Sequence, residues 1–292
     1  MRGLLLASLL SLACRPAADR PAAAAGPLSA VDDAGRTITL AAPARRVVSL
    51  LPSFTEILFA LGAGDRLVGR TAWCDYPPDA LAVPSVGDGM PPNVEAVAAR
   101  RPDLVLLYHS GSNVTAADQL AGLGIPAVLL HLDRLEDLGP AARLIGRLTG
   151  REAQAESLAA TMDSLASQPT PARRGSLVFV VWDNPPIVIG RGSYLDGLAA
   201  LAGARNVFSD VAAPSAQVSL ETIAARDPDW VAVLSDSAAP PAFAARREWR
   251  AVRAVRTGRF LNLPGSLFGR PGPRSGQAVR ELRARLEAGG AP

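Results

Sequence analysis

Val94–Leu107 reads VEAVAARRPDLVLL, and Leu220–Val233 reads LETIAARDPDWVAV, 126 residues further on. Over the twelve aligned positions from Val94 to Val105, seven are identical: Glu95/Glu221, Ala98/Ala224, Ala99/Ala225, Arg100/Arg226, Pro102/Pro228, Asp103/Asp229 and Val105/Val231. The interval is much longer than the 20 to 50 residues of a solenoid repeat, so the duplication predicts two similar half-proteins and not a stacked array. Each copy places apolar residues at helical spacing (Val94, Val97, Ala98), then a proline stop, then a buried apolar run. Helix followed by strand is the unit from which an α/β layer is built.

Reading outward from the first copy, RRVVSLL is a short strand, PSFTEILFALGAG a helix closed by glycine, and RLVGRT a strand. Before them, AVDDAGRTITL carries a turn at Asp33–Gly35 and reads as an edge hairpin. After the copy comes a helix from about Ala116 to Leu123, stopped by Gly124, and then the strand PAVLL. From Leu135 to Ala166, apolar residues recur at helical intervals, with Gly146 and Gly150 as points where the helix could break. Unbroken, at ~1.5 Å per residue, it would run to more than about 40 Å and act as a strut. The second half repeats the order: strand SLVFVVW, helix SYLDGLAALAG, the second copy, a helix around Trp249, strand RFLNL and a last helix GQAVRELRARLEA. The expected organisation is a leader and tether at 1–26, an N-terminal α/β lobe at 27–134, an interlobe helix at 135–168 and a C-terminal α/β lobe at 169–292.

The totals narrow the function classes. With 292 residues, 49% of them hydrophobic, the chain can bury two ordinary cores. All 30 basic residues are arginine, scattered among 27 acids, so the net charge of +3 gives no basic stripe for nucleic acid. Two histidines, one odd cysteine, no G-x-S-x-G, no phosphate loop and no metal-ligand spacing leave no catalytic constellation. Asp75 and Asp79, around YPP, read as solvated or capping turn acids.

The N-terminal MRGLLLASLLSLAC has one Arg before an apolar run too short to span a bilayer, which predicts export. Leu12, Ala13 and Cys14 before a Pro/Ala-rich tether resemble a lipobox, with Ser11 standing where Leu is usual. Lipidation at Cys14 is therefore expected, ahead of an ordinary cleaved signal. Cys74 then has no partner for a disulfide within the chain.

Together, RRVVSLLPSFTEILFALGAGDRLVGRTAWCDYPP, GDGMPPNVEAVAARRPDLVLL, VSLETIAARDPDWVAVL and FGRPGPR resemble the substrate-binding proteins of ABC importers for cobalamin, haem and ferric siderophores, and most of all the cobalamin binders. The likeness runs from about Val31 to the end. It implies two Rossmann-like lobes joined by a single long helix, with a largely pre-formed ligand cleft between them. It also implies a monomer that captures a corrinoid (cobalamin or cobinamide) and delivers it to a permease and its ATPase, with no cofactor of its own. Carried over residue by residue, it assigns Trp73, Tyr108, Trp182, Phe268 and Arg270 to the ligand. Flat aromatics would cover the corrin and Arg would meet its polar arms. It further matches Glu95 and Glu221 to the acids, one per lobe, that dock onto permease arginines; the helix dipole alone would also favour an acid there.

Two departures weaken the cobalamin assignment: Gly87 stands where cobalamin binders have Trp, and Ser266 where they have Asp. Tyr108 and His109 leave open a haem-binding relative, since phenolate and imidazole both ligate haem iron. The plainer readings are a strand-end aromatic for Tyr108, a solvated loop residue for His109 and a structural residue for His131. Cys74 is expected to be a small buried residue, and Trp230 and Trp249 to pack in or against the C-terminal core. Ferric-siderophore delivery to the same class of importer, an enzyme acting on a captured corrinoid and a sensor that binds without transport are the remaining alternatives.

Overall fold

Runs of valine and leucine with no polar alternation need apolar cover on both faces, which a parallel sheet between two helix layers provides. The computed structural model describes residues 27–172 and 174–289. In chain order its elements are β1 (Leu28–Val31), β2 (Thr37–Leu40), β3 (Val47–Ser49), α1 (Pro52–Ala60), β4 (Leu67–Arg70), α2 (Val94–Ala98), β5 (Leu104–Tyr108), α3 (Gly111–Gly122) and β6 (Ala127–Leu130). They continue with α4 (Leu138–Leu148), α5 (Glu152–Ala166), β7 (Gly175–Asp183), β8 (Pro186–Ile189), α6 (Tyr194–Ala202), β9 (Ala204–Asn206), β10 (Ser215–Gln217), α7 (Leu220–Arg226) and β11 (Trp230–Leu234). The last four are α8 (Arg253–Arg256), β12 (Phe260–Leu263), α9 (Gly265–Phe268) and α10 (Ser275–Gly289). No helix among the described residues is long and apolar enough to cross a membrane.

The first sheet is parallel in the order β4-β3-β5-β6. Alternate residues feed different cores. Val47, Leu104, Leu106 and Val128 pack with Phe54, Ile57 and Leu58 of α1, whereas Val48, Val105, Leu107 and Leu129 pack with Val97 of α2 and Leu120 of α3. The second sheet holds the parallel set β9-β7-β11-β12, which matches the first strand for strand, plus an antiparallel extension β8-β10 on the outer half of β7. The β1/β2 hairpin is antiparallel, as its turn predicts.

The two copies of the repeated phrase occupy equivalent places, α2 into β5 and α7 into β11, each β-strand being central in its sheet. Val97 and Ile223 are both fully buried. Arg101 (φ 49°) and Asp227 (φ 42°) are the two non-glycine residues in the left-handed region among those described, and each directly precedes the proline of its copy. The chain thus reverses by the same backbone device twice. The aspartate after each proline then ties the turn to the first strand of its lobe: Asp103 accepts from the Arg45 and Arg46 amides at 2.9 Å each, and Asp229 from the Ser176 amide at 2.9 Å and hydroxyl at 2.8 Å. Partial burial pushes Asp229 up, but the two Ser176 hydrogen bonds and Arg253 outweigh it and hold the carboxyl below the ordinary aspartate range.

The stretch expected to be one long helix is two. Gly150, at φ 59°, breaks it between α4 and α5, and the two helices lie antiparallel, Gly139 facing Asp163 and Gly146 facing Ala155. A Cβ at Gly146 would collide with the Ala155 methyl, so glycine is what lets these axes approach. Arg143 ties the pair together, donating to Glu156 at 2.8 and 2.9 Å and lying 2.8 Å from Asp163. A single helix, α5, still makes the connection to β7, but at ~1.5 Å per residue it is only about 22 Å long. Leu138, Ala142, Ile145, Ala159 and Met162 of this hairpin belong to one apolar cluster that also contains residues from both sheets. The lobes are therefore joined by a shared core as well as by a strut.

Candidate functional site

Ligands of open parallel sheets gather beyond the carboxyl ends of the strands. Beyond β4, the chain makes a long loop whose shape is set by Arg70. This buried guanidinium donates to the carbonyls of Ala80 (2.9 Å), Val83 (3.0 Å) and Thr71 (2.9 Å). Cys74 is fully buried beneath, its sulfur 3.1 Å from the Thr71 hydroxyl, and it is a free thiol. With the loop so anchored, Trp73 stands 60% exposed, and Tyr76 and Met90 are exposed as well.

On the second lobe, Trp182 is the penultimate residue of β7, 59% exposed, its indole N–H donating to the Asn184 carbonyl at 2.8 Å. Next to it, Val181, Leu234 at the end of β11, Pro241 and Phe243 line a groove of about 340 Å³. Tyr108 is half-buried at the end of β5, the position equivalent to Leu234, and its hydroxyl donates to Asp133 Oδ1 at 2.5 Å. Burial, then the hydrogen bond and charge of Asp133, push its pKa up to about 12.

Phe268 is a correction. Expected on the cleft wall, it is fully buried, because the single turn of α9 directs it into the shared core. Arg270 is placed differently from a free ligand contact. It reaches across to the first lobe, donating to Asp75 Oδ1 at 2.5 Å and to the Trp73 carbonyl at 3.1 Å. The Arg270 guanidinium in turn holds the Asp75 carboxyl below the usual aspartate range, so Asp75 is an ion-pair partner and not the solvated turn acid expected. Arg274, not singled out in the sequence, pairs in fork geometry with buried Glu56 of α1 (2.5 and 2.8 Å) and lies 3.9 Å over the Tyr76 ring. The segment after β12 thus meets both α1 and the loop after β4, which brings the carboxyl ends of the two sheets to a common boundary.

Glu95 and Glu221 lie elsewhere, each in the first turn of its short helix. Asn93 and Ser219 cap those turns by accepting from Ala96 and Thr222 amides. Both glutamates are exposed, and among the described residues neither lies within ion-pair distance of a cation. The Glu221 backbone N–H and the Ser219 hydroxyl hold the Glu221 carboxyl below its ordinary range. Trp249 and Trp230 are buried in the second lobe, as expected. Cys14 lies outside the described residues.

The chain is 29% identical over 250 residues to a vitamin B12-binding protein of Pectobacterium carotovorum subsp. carotovorum (strain PC1), covering 84% of this chain and 89% of that one. It is 29% identical over 296 residues to an uncharacterised ABC transporter substrate-binding lipoprotein of Bacillus subtilis (strain 168), covering 96% and 93%. Among solved structures it resembles a periplasmic haem-binding protein from Pseudomonas aeruginosa, with TM-score 0.71, 26% identity and 85% and 95% of the two chains covered. One architecture therefore serves relatives named for different cargoes. Residues 47–267 match the model of the family described as "Periplasmic binding protein", and the chain belongs to that family of exported solute-binding proteins that serve ABC importers.

Proposed function

We propose that this protein captures a corrinoid in the cleft between its lobes and delivers it to the permease of an ABC importer. The observation that carries the reading is the pair of exposed indoles, Trp73 beyond β4 and Trp182 at the end of β7, one on each lobe. Large apolar rings left in water at strand ends are costly unless something covers them, and a flat macrocycle covers both. Trp73 and Trp182 then stack on the ring, and Tyr108 packs at its edge. Arg270, tied to Asp75 at the lobe boundary, offers its remaining N–H groups to amide arms.

The same geometry argues against Tyr108 as a haem-iron ligand. A phenolate there must give up the bond to Asp133 and sit beside its negative charge. Glu95 and Glu221, exposed and with no ion-pair partner among the described residues, serve as the two docking points on the permease, and Cys14 carries the lipid that keeps the protein at the membrane. The relative from Bacillus subtilis, named as a lipoprotein, supports that anchor.

Gel filtration of the purified protein with cyanocobalamin, haemin or a ferric hydroxamate tests the cargo. Co-elution of cyanocobalamin or cobinamide is expected. Co-elution of haemin or the ferric chelate with no corrinoid retained would reassign it.

A further inference from the structure

The ends of β5 and β6 bring together two histidines for which the corrinoid reading has no use. His109 follows β5 and His131 follows β6, with ring centroids 4.4 Å apart and His109 Nδ1 2.6 Å from His131 Nε2. On the far side of its ring, His131 Nδ1 donates to Asp133 Oδ2 at 2.9 Å. The other Asp133 oxygen accepts from Tyr108, and the His131 amide donates to Asp33 Oδ2 at 2.6 Å. Asp133 therefore fixes both the orientation and the tautomer of His131: the proton sits on Nδ1, and Nε2 presents a lone pair toward His109. A carboxylate behind an imidazole, with the remote nitrogen aimed at a common point, is the support that metal-binding histidines use.

We propose that His109 Nδ1 and His131 Nε2 form a two-imidazole site for a borderline divalent transition-metal ion such as Zn(II) or Cu(II). Imidazole donors select this class over Mg(II) and Ca(II), which require oxygen ligands. Among the described residues no set of three His, Cys, Asp or Glu side chains converges, so the ion keeps positions for water or another small donor. Zn–N bonds of about 2.0–2.1 Å at a tetrahedral angle separate two donors by about 3.3 Å, so the rings must part by roughly 0.7 Å. That adjustment is open to them, because the His131 side chain is 41% exposed and His109 lies at the start of a loop. The site does not rest on the identity of the main cargo.

The test uses mature protein without an affinity tag. Zn(II) competed against a chromophoric chelator is expected to bind one ion per chain. His109→Ala or His131→Ala should each weaken binding by about tenfold or more, and Asp133→Ala, which leaves both ligands in place, by about 10 to 100-fold. Electron paramagnetic resonance of the wild-type protein loaded with one equivalent of Cu(II) should show two nitrogen donors, a reading that needs no variant to fold. No Zn(II) uptake at submillimolar concentration, uptake unchanged in both histidine variants, or an all-oxygen copper spectrum would overturn the site.

Discussion

In the first lobe Asp103 receives the amides of Arg45 and Arg46, and in the second Asp229 receives the amide and hydroxyl of Ser176. Both copies of the phrase have a capped helix start, a left-handed residue before proline and an aspartate clamp on the first strand. They part at the arginine. Arg226 pairs with Asp210 at 2.5 and 3.0 Å and lies 4.4 Å over Phe208, whereas Arg100 has a buried Nε with no hydrogen-bond partner. The shared aspartate and proline have a role inside each lobe, whereas of the two arginines only Arg226 has taken an ion-pair partner among the described residues. The shared glutamates are exposed and pair with no cation among the described residues, and on the proposed reading a demand from outside the chain explains their identity.

Charge reversal at the two glutamates should therefore have the largest effect: Glu95→Arg with Glu221→Arg is expected to abolish uptake in cells while the purified protein keeps its ligand affinity. Transport retained in the double variant would reduce both acids to helix-start residues. Next come the indoles. Trp73→Ala combined with Trp182→Ala should weaken corrinoid binding by about 100-fold, since loss of each stacking face is worth on the order of tenfold. The fold should be kept, because both side chains are exposed.

The aspartate clamps distinguish the lobes through stability. Asp229→Ala leaves the Ser176 amide and hydroxyl unpaired in a partly buried setting and takes from Arg253 one of its two carboxylate partners, for an expected cost of about 2 kcal/mol. Asp103→Ala exposes its two amides to solvent more readily and should cost nearer to about 1 kcal/mol. Urea titration of each variant compares them; equal costs would mean that the two clamps are interchangeable.

The smallest effect belongs to the Asp75–Arg270 bridge. Because Arg270 depresses the folded-state pKa of Asp75, its contribution is fully present above the ordinary value of 3.8 and is lost as pH falls through the depressed value. Asp75 is half exposed, so the difference in stability between wild type and Asp75→Asn should be under about 1 kcal/mol at neutral pH and vanish in acid. A difference that grows in acid would contradict the assignment.

Much of this architecture was legible because apolar period and turn residues agree along the chain. The repeated phrase marked two equivalent helix-strand units, and glycine and proline stops set most boundaries. The interlobe segment misled because its apolar spacing continues across Gly150. The left-handed turn there and the small faces of Gly139, Gly146 and Ala155 reverse the chain without disturbing the pattern. The strands β8, β9 and β10, three or four residues each, are too short to carry a period. Of the site, Trp73 and Trp182 were named through the family resemblance, and both are exposed. The bridges from Arg274 to Glu56, 218 residues away, and from Arg270 to Asp75, 195 away, leave no local trace. Phe268 and Arg270 sit two residues apart, yet one turn of helix sends the first into the core and leaves the second at the boundary between the lobes.

On the proposed reading, cargo is held between the lobes by aromatic faces while the helix-start glutamates serve only the permease. Calorimetric titration of cyanocobalamin into the wild-type protein, the Glu95→Arg/Glu221→Arg variant and the Trp73→Ala/Trp182→Ala variant tests it directly. Matching one-to-one isotherms are expected for the first two, and for the third an isotherm weakened by about 100-fold. A flat trace with wild-type protein, or one lost on charge reversal and kept without the indoles, would contradict it.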